Sequence, residues 1–149
     1  MKNIIAYRDL PAFAGADLGV SSWHLVDQEH IDRFADAVGD RQWIHVDVER
    51  ATREMGAPIA HGFLILSMLS AMSAESLDFT GVSRRINYGF DKLRFTGTVK
   101  AGSRVRLAHR MTKVEEKAGG LALTRECRIE IENTPQAALI CNWIVLVLP

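Results

Sequence analysis

The sequence predicts an α+β domain in which an antiparallel sheet wraps one buried helix. Three observations predict it. First, the stretch from Gly62 to Ala74 carries no charge and places large apolar side chains on every side of a helical wheel, as a core helix does. At about a dozen residues it is too short for the ~20 needed to cross a bilayer. Second, beyond Glu75 the apolar residues recur with period two almost to the C-terminus, the pattern of strands. Third, 149 residues without repeats, linkers or low-complexity segments suit a single domain, 1–149, with a sizeable core.

The elements follow in chain order. Tyr7 to Gly19 contains Pro11 and two glycines and reads as a short helix or loop. Val20 to Val26 alternates loosely and predicts a first strand. Asp27 offers an N-cap. Ile31, Phe34, Ala35 and Val38 then repeat with amphipathic-helix spacing until Gly39 ends the pattern. Asp40 to Asp47 is irregular and polar. Val48 to Met55 reads as a short helix stopped by Gly56 and Pro58. The small residues Ser67, Ser70, Ala71 and Ser73 on the core helix let neighbours approach closely.

After that helix, Arg84 to Phe90 and Lys92 to Phe95 predict one strand with a kink at Gly89. Thr98 to Ser103 is a turn, and Val105, Leu107, His109 and Met111 mark one face of the next strand. Gly119-Gly120 signals a hairpin. Beyond it Leu121, Leu123, Cys127, Ile129 and Ile131 share one face, with Thr124, Glu126, Arg128 and Glu130 on the other. This is a strand with one wet side. Asn133-Thr134-Pro135 turns the chain. The last strand, Ala138 to Leu148, is apolar on both faces, so it belongs in mid-sheet or under a partner.

Composition excludes several classes. Lys plus Arg equals Asp plus Glu at eighteen each, so nothing points to nucleic acid or an anionic membrane. The first residues lack an apolar run followed by a small-residue cleavage site, which predicts a soluble cytoplasmic protein. Cys127 and Cys141 have no metal-ligand spacing and read as reduced, small apolar side chains. The chain has no Gly-rich phosphate loop, GxSxG, CxxC or HExxH.

Two stretches stand out as carriers of chemistry: Gly39-Asp40-Arg41-Gln42-Trp43-Ile44-His45-Val46-Asp47 and Ala60-His61-Gly62. An aspartate and a histidine five residues apart supply a proton acceptor and donor near neutral pH. Taken alone, the pair also fits a turn-capping aspartate and a histidine that satisfies a buried hydrogen bond. The N–H groups at the start of the core helix favour developing negative charge.

Together these stretches resemble the MaoC-like (R)-specific enoyl-CoA hydratases of the hot-dog fold. That motif runs Gly-Asp-x-Asn-Pro-x-His, often followed by x-Asp, with Ala-His-Gly opening the central helix some way on. Gly39-Asp40, His45, Asp47 and Ala60-His61-Gly62 are in register with it. Gln42-Trp43 departs from the usual Asn-Pro. Gly-Asp-x-Gln-Trp-Ile-His-Val-Asp, with Asn87-Tyr88-Gly89 later, is more similar to the branch containing nodulation protein N and related mycobacterial hydratases.

The resemblance implies a hot-dog fold and a hydro-lyase that adds water reversibly to a trans-2-enoyl-CoA. Asp40 and His45 would hold and activate the water, and the Gly62 N–H would meet the thioester oxygen. Gln42, His61, Ser67, Asn87 and Tyr88 are expected along the substrate. Gln42 is further expected to orient Asp40, Trp43 to pack, and Asp47 to cap the following helix. No metal or redox cofactor is expected, because the thioester itself makes C3 electrophilic. A homodimer joined sheet to sheet is the expected assembly.

Arg84, Arg85, Lys92 and Arg94 read as a solvated face rather than a coenzyme A phosphate site. His24, His30 and His109 are scattered and read as structural. Two other hot-dog activities fit less well. An acyl-carrier-protein dehydratase would carry a His-Phe-Pro-type motif, and a thioesterase would place an acid beside the central helix, where Glu75 lies at the wrong end. A non-catalytic acyl-thioester binder is the remaining alternative.

Overall fold

The computed structural model describes residues 2–149. The chain opens with β1 (Asn3–Ala6), a 3-10 segment (Tyr7–Phe13), β2 (Asp17–Val20) and β3 (His24–Val26). Four helices lead to the centre: α1 (Gln28–Val38), α2 (Trp43–Val46), α3 (Val48–Met55) and α4 (Gly62–Ser67). Then come α5 (Leu69–Ser76), β4 (Leu77–Thr80), β5 (Arg84–Phe95), β6 (Ser103–Lys117), β7 (Gly120–Ile131) and β8 (Ala137–Leu148).

The main sheet runs β2-β6-β7-β8-β5, with β3 also on β6, and every pairing in it is antiparallel. Inward-facing Leu123, Cys127, Ile129, Leu139, Val145 and Val147 form one core with Leu64, Ile65, Leu69 and Met72 of α4 and α5. The hot-dog arrangement is thus present, and β8 lies in mid-sheet as its two apolar faces demand. Leu69 and Met72 are fully buried, so truncation of either to Ala costs about 2–5 kcal/mol.

Local chemistry sets the boundaries. The Asp27 carboxylate accepts from the His30 N–H at 2.9 Å and caps α1, a bond worth about 1 kcal/mol. Gly39 ends α1 in the left-handed conformation, φ 79°. Asp47 caps α3 through the Arg50 N–H at 3.0 Å, as expected from its place in the sequence. The Gly119-Gly120 hairpin and the irregularity in β5 between Asn87 and Gly89 also stand where the sequence puts them.

Four expectations change. The strand expected over Val20 to Val26 is reduced to β3, His24–Val26, because Ser21–Trp23 leaves the ladder, and β2 lies mostly before it, in the stretch read as a short helix or loop. There Ser21 bonds Leu107 and Ser22 bonds Glu75. The short parallel pair β1–β4 has no signal in a four-residue window. The polar stretch Asp40 to Asp47 contains a helical turn, α2.

Finally, the core helix is interrupted at Met68, where the Ser67 hydroxyl donates to the Leu64 carbonyl at 2.7 Å. Such back-bonding perturbs helices. The helix is also not buried all round within one chain. Phe63 is 67 % exposed, and Ser70, Ala71 and Ala74 are exposed beside it.

Candidate active site

Three segments far apart in sequence meet at the start of α4. Gly39 turns the chain out of α1 and delivers Asp40. The α2 turn then presents His45 inward, and His61 stands immediately before Gly62. Polar atoms of Asp40, His45 and His61 all lie within 4.8 Å of one another. Both histidines are buried and Asp40 is partly exposed.

Hydrogen bonds decide the tautomers. His45 Nδ1 lies 2.6 Å from the Ile59 carbonyl oxygen. A carbonyl only accepts, so Nδ1 donates, and in the neutral imidazole the lone pair then lies on Nε2. His61 Nε2 donates in the same way to the Asp40 carbonyl at 2.9 Å. The two imidazoles stack with centroids 3.7 Å apart and planes 21° apart, and Phe34 packs on His61 at 5.0 Å. The Gln28 amide ties the His45 carbonyl at 2.8 Å.

The Asp40 carboxylate, by contrast, receives only a long bond from the Gln42 N–H, 3.4 Å. A carboxylate acceptor and an imidazole lone pair therefore stand side by side, held in place from behind. They can share a water and move its proton.

The cluster has the residue types of a metal site but not the geometry. Imidazole lone pairs lie in the ring plane. Planes tilted by only 21° do not converge within the ~2.0–2.1 Å of a metal–nitrogen bond.

Gly62 opens α4 beside this cluster. A Cβ there would come within 2.9 Å of the Phe95 ring, so any larger residue must displace that side chain, and glycine allows the close approach as it stands. Phe95, Ile59, Ile65, Val99 and Ala138 line a crevice of about 250 Å³ next to Gly62. On its other side Phe63, Ser67, Ser70, Asn87, Phe90 and Trp143 line a second, about 240 Å³. The Phe63 and Phe95 rings meet edge to face between the two, centroids 6.0 Å apart.

The expected site residues are thus placed unequally. Asp40, His45, His61 and Gly62 come together. His61 turns its ring to His45 and the Asp40 backbone. Gln42 is exposed and meets Asp40 through its backbone. Trp43 packs under the Arg50 guanidinium at 4.0 Å. Ser67 and Asn87 line the second crevice, although the Ser67 hydroxyl is engaged within α4 and Asn87 Oδ1 accepts from Trp143 Nε1 at 3.2 Å. Tyr88 lies apart, with Lys117 Nζ 4.3 Å above its ring. Gln28, the Ile59 carbonyl and Phe95 escape sequence reading, because each acts through a contact between distant segments.

Comparison with known proteins agrees with this architecture. The MaoC-like domain family model matches residues 11–128. The chain is similar to nodulation protein N of Rhizobium leguminosarum bv. viciae, 44 % identical over 96 % of this chain and 91 % of that one. It is also similar to 3-hydroxyacyl-thioester dehydratase Z of Mycobacterium tuberculosis, 40 % identical over 97 % of each. The (R)-hydratase from A. caviae involved in PHA biosynthesis shares the fold, with a TM-score of 0.73 and 23 % identity over 91 % of this chain and 96 % of that one. Its residues, its hot-dog architecture and these relatives agree: the chain belongs to the MaoC-like domain family and is an enzyme of the hydro-lyase type.

Proposed function

We propose that the protein adds water reversibly to a trans-2-enoyl thioester of coenzyme A, giving the (R)-3-hydroxyacyl thioester, in fatty acid metabolism. The observation that carries this reading is the bond from His45 Nδ1 to the Ile59 carbonyl, which leaves Nε2 as a lone pair beside the Asp40 carboxylate. A water held by these two groups attacks C3 and gives up a proton to the pair. The π electrons move toward the thioester oxygen, where the Gly62 N–H and the helix start stabilise the enolate. The pair then returns a proton to C2, so that OH and H are added and no redox partner is consumed. The pair titrates as a unit. The crevices on either side of Phe63 and Phe95 give room for the two arms of a thioester.

The same reading covers the assembly. β5 is the edge of the sheet and exposes Ile86, Tyr88 and Phe95 next to Phe63. A long apolar edge invites pairing, and a second copy joined along β5 would cover it; a monomer in sedimentation equilibrium refutes this assembly. No described helix is long and apolar enough to cross a membrane, and the cytoplasm is the proposed compartment.

The test follows loss of the conjugated enoyl absorbance from crotonyl- to octenoyl-CoA. Asp40→Asn and His45→Ala should each lower kcat/KM by about 10²–10⁴-fold, with far-UV circular dichroism confirming that both variants fold. Absence of hydration at every chain length in the wild type refutes the activity. Full activity in both variants refutes the site.

A further inference from the structure

His45 stands on a helix too short to hold itself. α2 is a single turn, Trp43–Val46, with no side-chain cap at its N-terminus, and one turn closes few hydrogen bonds of its own. The carbonyls at a helix end need partners from elsewhere. The Trp43 carbonyl accepts from the Asp47 N–H at 3.0 Å, and the Ile44 carbonyl from the Ile59 N–H at 3.0 Å. The His45 carbonyl accepts from Gln28 Nε2 at 2.8 Å. Among the described residues this is the only hydrogen bond that another residue's side chain gives to the turn, and it comes from the first residue of α1.

Gln28 is itself held. The same amide nitrogen donates to the Asp32 carboxylate at 2.8 Å, one turn along α1, where residues four apart share a helix face. Both partners are acceptors, so the amide must turn its nitrogen to them and not its oxygen. That oxygen, Oε1, is left buried with no hydrogen-bond partner, which costs stability. The amide thus gives up its own acceptor and spends both donors on the clamp. A glutamate in its ionised form has no donor to give, and an asparagine is one methylene short.

The clamp reaches the chemistry in one step. The carbonyl that Gln28 holds belongs to the residue whose imidazole meets Asp40, and that ring is gripped from behind by the Ile59 carbonyl at 2.6 Å. A turn released from α1 is free to pivot on its ties to Ile59. Pivoting changes the angle of the Nδ1–H···O=C bond and carries Nε2 away from Asp40. Misplacement of a reacting group by ~1 Å can cost on the order of 10²-fold in rate. On the reading that Asp40 and His45 activate a water, we propose that Gln28 and Asp32 are positioning residues, which fix the place and tautomer of the His45 ring without touching substrate.

The experiment uses Q28M, which keeps the length and helix propensity of glutamine but has no donor. It adds D32A, which removes the acceptor that holds Gln28, and D32N, which restores an acceptor oxygen. For each, kcat and KM are measured on the best substrate of the crotonyl- to octenoyl-CoA series. Nitrogen-15 NMR of histidine-labelled protein, without substrate, reads which nitrogen of His45 carries the proton, and His45→Ala identifies the signal. Q28M should lower kcat by about 10-fold with KM within about twofold of wild type. Its His45 signal should move from one Nδ1–H form to a mixture. D32A should lower kcat by about twofold, and D32N should match wild type. E75Q, which weakens the fold at the far end of the central helices, should change neither readout. Asp32 is exposed, so D32A tests the clamp even if Q28M does not fold. Wild-type kcat or an unmoved His45 signal in Q28M overturns the proposal, as does an equal fall of kcat in E75Q. A D32N that loses as much as D32A removes Asp32 from the clamp. If the wild type hydrates none of the substrates, the parent reading fails, and the His45 signal alone decides whether Gln28 and Asp32 set the ring.

Discussion

The two ends of the central helical run carry the same kinds of residues and use them in opposite ways. At the far end, the Glu75 carboxylate accepts from the Ser22 N–H at 2.8 Å, the Ser22 hydroxyl at 2.6 Å and His24 Nε2 at 2.5 Å. Buried His109 is bonded to the Ser76 hydroxyl at 2.7 Å. These groups largely meet one another. At the near end, Asp40 and His45 are gripped through their backbones and through Nδ1, while the carboxylate and Nε2 are left free. The Gly62 N–H, one of the first in its helix, is free as well. The far-end cluster spends its carboxylate on a clasp between segments, although His109 Nδ1 is left without a partner. At the near end Gln28 Oε1 and His61 Nδ1 lack partners too, and the groups that mark a candidate site are the Asp40 carboxylate and His45 Nε2.

The largest effect that sharpens this contrast is expected at Gly62. Gly62→Ala places a Cβ where the Phe95 ring and the approaching thioester must be, so kcat/KM should fall on the order of 10²-fold. Far-UV circular dichroism should stay the same, since the half-exposed Phe95 ring can shift. Undiminished turnover would remove the helix start from the chemistry.

At the opposite end the effect is on stability. Burial, followed by the charge of Arg125, lowers the His109 pKa from 6.5 to about 4. Between those values the unfolded chain binds the proton and the folded one does not. Stability is therefore complete above about pH 6.5 and declines as pH falls toward 4, by up to about 3 kcal/mol. Urea unfolding at a series of pH values should show this slope in wild type, and His109→Gln should flatten it. An unchanged slope would mean that His109 is not the group responsible.

The smallest effect is expected at Glu75. The Ser22 hydroxyl, more than any other group, holds its carboxylate below the usual range. Its partners therefore favour the charged form, and that support weakens as pH falls through the carboxylate range. The group is partly exposed, so Glu75→Gln should cost only about 1 kcal/mol in chemical unfolding and leave kcat unchanged. A large loss of activity would erase the distinction between clasp and site.

Cys127 and Cys141 illustrate what was plain from sequence. They face each other across β7 and β8, both buried and free. The bond to Cys141 and burial push the Cys127 thiol far above its ordinary pKa, so it behaves as the small apolar side chain that its neighbours suggest. The apolar helix, the period-two strands, the caps at Asp27 and Asp47, and the spacing of Asp40 and His45 were legible for the same reason. Each is written in residues a few positions apart, where helix and strand periodicity or a cap operates.

Arg125 shows the limit. It sits on the apolar face of its strand between Leu123 and Cys127, in plain view, but periodicity alone cannot say whether a charge there has a partner. The Asp40 and His45 motif likewise named the groups without showing which imidazole nitrogen was free. That depended on the carbonyl of Ile59, fourteen residues away. The exposure of Phe63 and the contact of Phe95 with Gly62 depended on where α4 lies against β5. The family, the wrapped helix and the candidate pair follow from local pattern and are readable in the chain before it folds. Which polar atoms find partners and which stay open is set between segments that meet when the sheet closes around the helix.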